Sequence, residues 1–231
     1  MTPTSAIKLN QLSFGWKPHR PVLQIDTLTI PRGEQVFLRG ASGSGKSTLL
    51  NLLGGLMKPQ QGEIELLDQS LNTLSQRQRD RFRADHIGVL FQQFNLLPYL
   101  SLIDNVVLPC RFSAERKRKA GDPVTAARTL LEALGLGAFI DRPVPTAELS
   151  IGQQQRVAAA RALIGQPEVL LADEPTSALD SDTRDQFLDL LSTQSRLNNT
   201  TLVFVSHDLS LSQHFDRVIN LGDINRCKGT N

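Results

Sequence analysis

The fold class of this 231-residue chain is decided by one stretch, Gly40-Ala41-Ser42-Gly43-Ser44-Gly45-Lys46-Ser47-Thr48. A short β-favouring run, residues 35–38, comes before it, and a helix-like apolar run, residues 48–53, follows. A strand, a glycine-rich turn and a helix in this order are the context in which the pattern G-x-x-x-x-G-K-[ST] binds phosphate. We call residues 40–48 the phosphate loop.

The residue types in the phosphate loop explain why it suits a nucleoside triphosphate. Glycines let the backbone wrap tightly, so that successive N–H groups point inward towards an anion. The start of the following helix adds the positive end of its dipole and unpaired N–H donors. Lys46 can reach the β- and γ-phosphates, and the Ser47 hydroxyl suits Mg²⁺. The alternative, an ordinary glycine-rich turn before a helix, is the weaker interpretation.

Composition places the chain among ordinary soluble globular proteins, with 40% hydrophobic and 21% charged residues. Its net charge of +2 is too small to indicate nucleic acid as the main partner. Cys110 and Cys227 are isolated thiols without metal-like spacing, which favours a reducing cytoplasm over a disulfide between them. The start of the chain does not read as a signal peptide, and no apolar run approaches the roughly 18–20 residues that span a bilayer. We therefore expect any membrane role to depend on a partner.

Periodicity predicts an α/β domain with a helical insertion. Strands are expected at residues 7–14, 23–30, 63–67, 87–91, 169–173, 201–206 and 217–221. Helices are expected at 75–84, 124–134 and 181–197, and the β pattern vanishes between 98 and 164. Strands that alternate with helices indicate a mostly parallel sheet covered on both faces. The basic run at 111–119 is expected to be a solvated loop rather than a lipid or protein docking patch.

Two acidic residues, Asp173 and Glu174, follow an apolar run that reads as a buried strand. Open α/β sheets bind ligands at the carboxyl ends of their strands. We therefore predict that Asp173 holds Mg²⁺, directly or through water, and that Glu174 acts as a base on the attacking water. The alternative interpretation is that the two adjacent acidic residues cap a helix. The phosphate loop upstream makes this alternative the weaker one.

A second anion site is predicted where a helix opens after Leu149. Ser150 and Gln153 have the spacing of a capping box, which by itself indicates only a well-made helix start. A helix start that carries a serine hydroxyl and the Gly152 N–H can also bind an anion.

Taken in order, these motifs make the chain resemble the nucleotide-binding domain of an ABC transporter. The resemblance covers essentially the whole chain and rests on several segments, namely 40–48, Gln92, 149–153, 170–174, Ser177-Ala178-Leu179-Asp180 and His207. It implies an α/β P-loop NTPase with a mostly parallel core sheet, an antiparallel β subdomain and a helical insertion. The expected division is a core at 1–97 and 166–231 and a helical subdomain at about 98–165.

The resemblance also implies a head-to-tail homodimer with two ATP molecules between the subunits. In that dimer Ser150 and Gly152 of one chain complete the γ-phosphate site of the other. Gln92 resembles the glutamine that contacts Mg²⁺ and links to the permease, and His207 resembles the switch histidine near the γ-phosphate. The remaining implied roles are Asp180 as the aspartate that crosses the dimer and Trp16 as the ring stacked on adenine, with Phe14 as the fallback.

The segments Gly54-Gly55-Leu56 and Phe94-Asn95-Leu96-Leu97-Pro98 are similar to those of the lipoprotein-release, macrolide-efflux and cell-division group (LolD, MacB and FtsE types). The expected function is thus an ATPase subunit on the inner face of the cell membrane that powers a separate permease, in export or envelope extraction. The rivals are a non-transport ATPase of DNA repair or translation, and a nucleotide sensor without turnover. Ile151 departs from the family signature, which has glycine there. We expect Ile151 at negative φ, with its side chain directed away from the phosphate.

Overall fold

The structure is a computed structural model that describes residues 4–17, 20–142 and 145–227. Two compact units are present: the first comprises the described residues of 1–83 and 201–231, and the second comprises 84–200. Nine strands are found in the described ranges: β1 (Ser5–Phe14), β2 (Leu23–Pro31), β3 (Gln35–Arg39), β4 (Gln61–Leu66), β5 (Gln69–Ser70), β6 (Ile87–Leu90), β7 (Val169–Asp173), β8 (Thr201–Val205) and β9 (Arg217–Asn220).

The helices of the described ranges are α1 (Lys46–Leu53), α2 (Gln76–His86), α3 (Leu102–Phe112), α4 (Ala114–Ala120), α5 (Pro123–Ala133), α6 (Ile151–Leu163), α7 (Ser181–Leu197) and α8 (Leu221–Ile224). Short 3₁₀ turns occur at Gly137–Phe139, Thr146–Glu148 and Leu209–His214. Every strand and helix predicted from periodicity is confirmed, with ends that differ by about two residues at most.

An antiparallel sheet in the first unit confirms the predicted antiparallel β part. Its strand order is β2-β1-β4-β5. Paired residues such as Ile7 with Ile30 and Leu12 with Ile25 are buried, whereas Gln24 and Thr27 of β2 are exposed. This alternation is the pattern of a sheet with one buried face.

Parallel strands in the first unit present the phosphate loop at one edge. β3 pairs with β8 and with β9 in parallel register. Three rings, those of Phe37, Phe204 and Phe215, form an aromatic cluster with centroids 5.1–6.3 Å apart. Because parallel strands end at the same edge, the residues after β3 and after β8 emerge side by side.

The second unit combines a parallel strand pair with helices. β6 and β7 run parallel, with Leu90 opposite Ala172. Ala158, Ala159 and Ala160 make the middle of α6 narrow, and all three are fully buried. Small side chains let α6 pack closely against its neighbours, chiefly α3.

The expectation of a solvated loop at 111–119 is wrong. The run includes the end of α3 and most of α4, and the side chain of Arg116 is only 3% exposed. Its guanidinium donates to the carbonyl oxygens of Ile164 (2.8 Å) and Ala162 (2.5 Å), which lie at the C-terminal end of α6. These carbonyls need partners where the helix ends, and Arg116 supplies them. Burial lowers the pKa of Arg116 to about 10, with Glu168 and Asp85 acting in the opposite direction.

Cys110 and Cys227 are both free thiols, of which Cys110 is buried and Cys227 is partly buried. Within the described ranges, no helix is long and apolar enough to cross a lipid bilayer.

Candidate functional site

The phosphate loop joins β3 to α1 in the first unit. Lys46 begins α1, and its side chain is only 7% exposed. The Lys46 Nζ donates to the carbonyl oxygens of Gly40 (2.9 Å) and Ala41 (3.1 Å), while the Ser44 N–H also donates to Ala41 (3.1 Å). The loop therefore holds a buried positive charge against its own backbone, as a phosphate-binding loop requires.

Gly45 shows why the loop needs glycine at the helix start. It is the N-cap of α1 at φ 100°, a region that other residues rarely adopt. A β-carbon on Gly45 would also lie 2.9 Å from Leu23 Cδ2. Around it, Ser42, Gly43 and Ser47 are exposed, so that the Ser47 hydroxyl faces solvent, whereas Thr48 is buried.

Trp16 lies two residues beyond β1 and is 63% exposed. Its ring meets the Phe14 ring edge-on, with centroids 5.3 Å apart and planes at 88°. The Gln60 side-chain amide accepts from the Gly15 N–H (2.9 Å) and donates to the Gly15 carbonyl (2.8 Å). Of the two candidates for the adenine-stacking ring, Trp16 is accessible and Phe14 is buried at 8% exposure.

His207 follows β8 at the edge from which the phosphate loop emerges. The Ser206 N–H donates to the Leu38 carbonyl at 3.3 Å, which joins the ends of β8 and β3. Ser206 is buried and accepts from the Asp208 N–H at 3.1 Å, whereas His207 is exposed. The first unit therefore brings His207 to the same sheet edge as the phosphate loop.

Asp173 and Glu174 lie at the end of β7 in the second unit. Both are partly buried, and Glu174 has a φ of 44°, a left-handed conformation that strains a non-glycine residue. Strain of this kind is concentrated at functional sites. Gln92, which follows β6, donates from Nε2 to the Ser177 Oγ at 3.4 Å. The second unit thus brings Gln92 to the segment that follows Glu174.

The start of α6 confirms the predicted capping box. Ser150 is the N-cap, its Oγ accepts from the Gln153 N–H (3.3 Å), and the Ser150 N–H donates to the Gln153 Oε1 (2.9 Å). Ile151 is the first residue of α6, and its φ is not positive, which agrees with the expectation. Its side chain is 52% exposed. α6 therefore begins as a regular helix, although Ile151 stands where the family signature has glycine.

Gly152 packs against the beginning of α7. A β-carbon on Gly152 would lie 3.1 Å from Thr183 Cγ2 and 3.7 Å from Leu179 Cδ2. Asp180 is the N-cap of α7 and accepts from the Thr183 N–H at 2.9 Å. Hydrogen bonds from Thr183 lower the pKa of the Asp180 carboxyl. An open cavity of about 200 Å³ beside this contact is lined by Ser150, Gly152, Gln153, Thr183, Leu136 and Phe139.

Sequence reasoning missed three residues that position this site. Gln60 belongs to none of the motifs, yet its amide holds the backbone before Trp16. Thr183 and Arg161 likewise lie outside the residues that the motifs single out. The only sequence signal for Thr183 is its place three residues after Asp180, the spacing at which the side chain of a helix N-cap accepts from a backbone N–H.

Comparisons with known proteins agree with the motifs. A family model described as ABC transporter matches residues 23–177. YbbA of Escherichia coli (strain K12), called an uncharacterized ABC transporter ATP-binding protein, is 46% identical over 194 residues, which are 84% of this chain and 83% of YbbA. The macrolide export ATP-binding/permease protein MacB of Rhodopirellula baltica is 42% identical over 203 residues, which are 88% of this chain and 29% of MacB.

Solved structures of the cassette MJ0796 are similar over 93% of both chains. Its dimeric structure, described as a bacterial ABC transporter cassette, has a TM-score of 0.81 at 38% identity. A dimeric post-hydrolysis state bound to ADP and Pi has a TM-score of 0.76 at 37% identity.

Proposed function

Because the chain belongs to the ABC transporter family, as one of its ATP-binding ATPases, we propose that it powers a membrane permease carried on a separate chain. MacB is named as both ATP-binding protein and permease, and this chain matches 29% of its length. We propose that another polypeptide provides the permease part. This chain would then bind to the permease on the inner face of the cell membrane. Export or extraction from the envelope is the proposed direction, since MacB is named for macrolide export.

The observation that carries the proposal is that one chain holds two sites suited to phosphate. The phosphate loop supplies Lys46 and a helix start, and the beginning of α6 supplies Ser150 and Gly152. In a head-to-tail homodimer the second site of one chain would face the phosphate loop of the other, so that each ATP would use one site from each subunit. We therefore propose a head-to-tail homodimer, which the dimers of MJ0796 support by analogy.

Mg²⁺ is the proposed metal, and the donors fit it. Mg²⁺ prefers oxygen ligands and is usually bound by one or two protein groups together with substrate phosphates. The exposed Ser47 hydroxyl, the Asp173 carboxylate at the end of β7 and the Gln92 amide are oxygen donors of that kind. When bound, the ion neutralises charge on the phosphates during transfer.

The remaining roles belong to this chain's own side chains. Lys46 binds the phosphates, and Glu174 accepts a proton from the attacking water. His207 is proposed to contact the γ-phosphate, Asp180 to reach across the dimer, and Trp16 to stack on adenine. The proposed core at 1–97 and 166–231 carries Lys46, Glu174 and His207, and the helical subdomain at about 98–165 carries Ser150.

Substitution of Glu174 tests the proposal. Glu174→Gln should lower kcat by about 10²–10⁴-fold, the usual contribution of a general base, and leave ATP binding intact. It should also shift the protein from monomer to dimer in light scattering when ATP and Mg²⁺ are added. Lys46→Ala is the matched comparison, because it should weaken ATP binding itself. Near-normal ATPase activity in Glu174→Gln would refute Glu174 as the base.

A further inference from the structure

The segment after Gln92 is fastened to α6 by one arginine. Arg161, in the third turn of α6, donates from Nη1 to the Asn95 carbonyl (2.7 Å) and from Nη2 to the Phe94 carbonyl (2.5 Å). Asn95 has a φ of 51°, so the N–H and carbonyl groups around it point in directions that differ from those in extended or right-handed helical backbone. A guanidinium can satisfy two neighbouring carbonyls at once, which an ammonium group does less well.

The residues that follow are held by other side chains of the second unit. Asn105 is fully buried, and its side-chain oxygen accepts from the Leu97 N–H at 2.8 Å. Its Nδ2 donates to the carbonyls of Leu97 (3.0 Å) and Leu100 (3.3 Å). The Thr146 hydroxyl also donates to the Leu97 carbonyl, at 3.0 Å. Of these three side chains, Arg161 holds the backbone nearest to Gln92 along the chain.

Gln92 itself is held much less firmly. Its side chain is exposed, and its one side-chain hydrogen bond within the described residues is the 3.4 Å contact to Ser177. A bond of this length is at the weak end of the range. The position of Gln92 therefore depends on the backbone that Arg161 fixes two residues later.

The same helix carries the second phosphate-type site at its other end. Ser150 caps α6, and Arg161 lies eleven residues further on. At a rise of about 1.5 Å per residue, this separates the two by about 16 Å along one rigid element. Displacement of the segment at Phe94 and Asn95 would consequently act on the helix that presents Ser150.

We propose that Arg161 is a positioning residue for ATP hydrolysis, which fixes Gln92 relative to α6 through the carbonyls of Phe94 and Asn95. This inference rests on the proposed function, because it assumes that Gln92 acts in the reaction. Arg161 does not touch the substrate in this account. It affects hydrolysis only by holding Gln92 in position.

Hydrogen exchange tests the anchoring without reference to activity. Arg161→Met keeps much of the apolar stem and removes both hydrogen bonds. We expect faster amide exchange at residues 92–97, with exchange in the middle of α6 unchanged. Arg116→Met is the matched control, since Arg116 also donates to two backbone carbonyls, those of Ala162 and Ile164 at the end of α6, and its guanidinium hydrogen bonds do not involve Phe94 or Asn95. Unchanged exchange at 92–97 in Arg161→Met would overturn the proposal.

Kinetics separate positioning from general stability. Arg161→Lys should lower kcat about 10- to 100-fold, as expected for a misplaced group, and leave the KM for ATP nearly unchanged. Arg116→Lys should keep the wild-type kcat per folded molecule. Because Arg161 acts through Gln92, the double variant Gln92→Ala with Arg161→Lys should be no slower than Gln92→Ala alone.

Two results would contradict this account in different ways. If the two substitutions multiply in their effects on kcat, Arg161 does not act through Gln92, and the positioning role is refuted while the proposed function stands. If Gln92→Ala alone leaves kcat unchanged, the proposed role of Gln92 fails, and the positioning role falls with it.

Discussion

Thr183 and Gly152 are in such close contact that a β-carbon on Gly152 would lie 3.1 Å from the Thr183 Cγ2. The Thr183 N–H also donates to the Asp180 carboxylate at 2.9 Å. One residue in the first turn of α7 therefore touches both the start of α6 and the aspartate that is proposed to cross the dimer. This close approach favours glycine at 152, in addition to any use of its N–H by phosphate.

Gly152→Ala should consequently damage the protein through Thr183. The added methyl requires the Thr183 side chain to move by a few tenths of an ångström. Overpacking of this kind costs about 1–3 kcal/mol of unfolding free energy, of which about 1 kcal/mol is offset because alanine favours a helix more than glycine does. We expect lower ATPase activity and weaker ATP-induced dimerisation, measured by phosphate release and light scattering.

A second substitution should reverse the damage. Thr183→Ser removes the Cγ2 methyl but keeps the N–H and the hydroxyl near Asp180, so it should restore much of the stability and activity of Gly152→Ala. Thr183→Val is the matched control, because it keeps a methyl group in place and should not rescue. Equal behaviour of the two double variants would show that the contact does not decide the role of Gly152.

Ile151 should be nearly dispensable for activity. Its side chain is 52% exposed at the first position of α6, and the capping box is made by its neighbours. We expect Ile151→Gly to lower the unfolding free energy by about 0.5–1 kcal/mol, the usual cost of glycine in a helix, with ATPase activity little changed. Gly152→Asp is the contrast, since a carboxylate at the proposed γ-phosphate contact should nearly abolish turnover. A large loss of kcat in Ile151→Gly would mean that the side chain contributes to the nucleotide site.

The features that the sequence predicted well are those set by neighbouring residues. The phosphate loop, the apolar strand before Asp173 and the capping box of Ser150 and Gln153 are all patterns within about nine residues, and each appears where it was expected. Local backbone preferences and hydrogen bonds are enough to determine such patterns.

The features that it missed depend on residues far apart in the chain. Arg116 looked like one of several solvated basic residues, because nothing near it shows that the end of α6, 46–48 residues later, needs hydrogen-bond donors. Gln60 bonds to Gly15 across 45 residues, and Arg161 bonds to Phe94 across 67. Only the folded chain brings such partners together, so periodicity and motif spacing carry no trace of them.

Glu168 predicts how stability changes in acid. Burial alone would raise its pKa, but hydrogen bonds from His86 (3.1 Å) and Lys119 (2.6 Å) lower it from 4.5 to about 2, and Arg116 and Glu115 are the further charged groups nearby. A depressed pKa means that the ionised carboxylate is favoured in the folded state. Its stabilisation is therefore complete above pH 4.5 and is lost as the pH falls towards about 2.

Unfolding by urea at several pH values measures this effect. At pH 7, Glu168→Gln should be less stable than the wild type, and the difference should shrink steadily below pH 4.5. Glu132→Gln, which changes an exposed glutamate of α5, should follow the wild-type curve. A constant difference between Glu168→Gln and the wild type down to pH 2 would show that packing, and not ionisation, accounts for the role of Glu168.

Trp16 allows ATP binding to be observed directly, because it is the only tryptophan in the chain. If its exposed ring stacks on adenine, ATP should change the tryptophan fluorescence of Glu174→Gln, whereas inorganic tripolyphosphate, which has no base, should not.

Trp16→Ala should weaken ATP binding about 2- to 12-fold, corresponding to the 0.5–1.5 kcal/mol of an aromatic pair, and Trp16→Phe should lose less. Phe112→Ala, at an aromatic residue of the second unit that is 74% exposed, should leave the affinity unchanged. Trp16→Ala also removes the edge-on contact with the Phe14 ring, so it should lower the unfolding free energy by about 0.5–1.5 kcal/mol, whereas Trp16→Phe keeps an aromatic ring there. A fluorescence change of the same size with tripolyphosphate would instead place Trp16 in a response to phosphate and remove it from the adenine site.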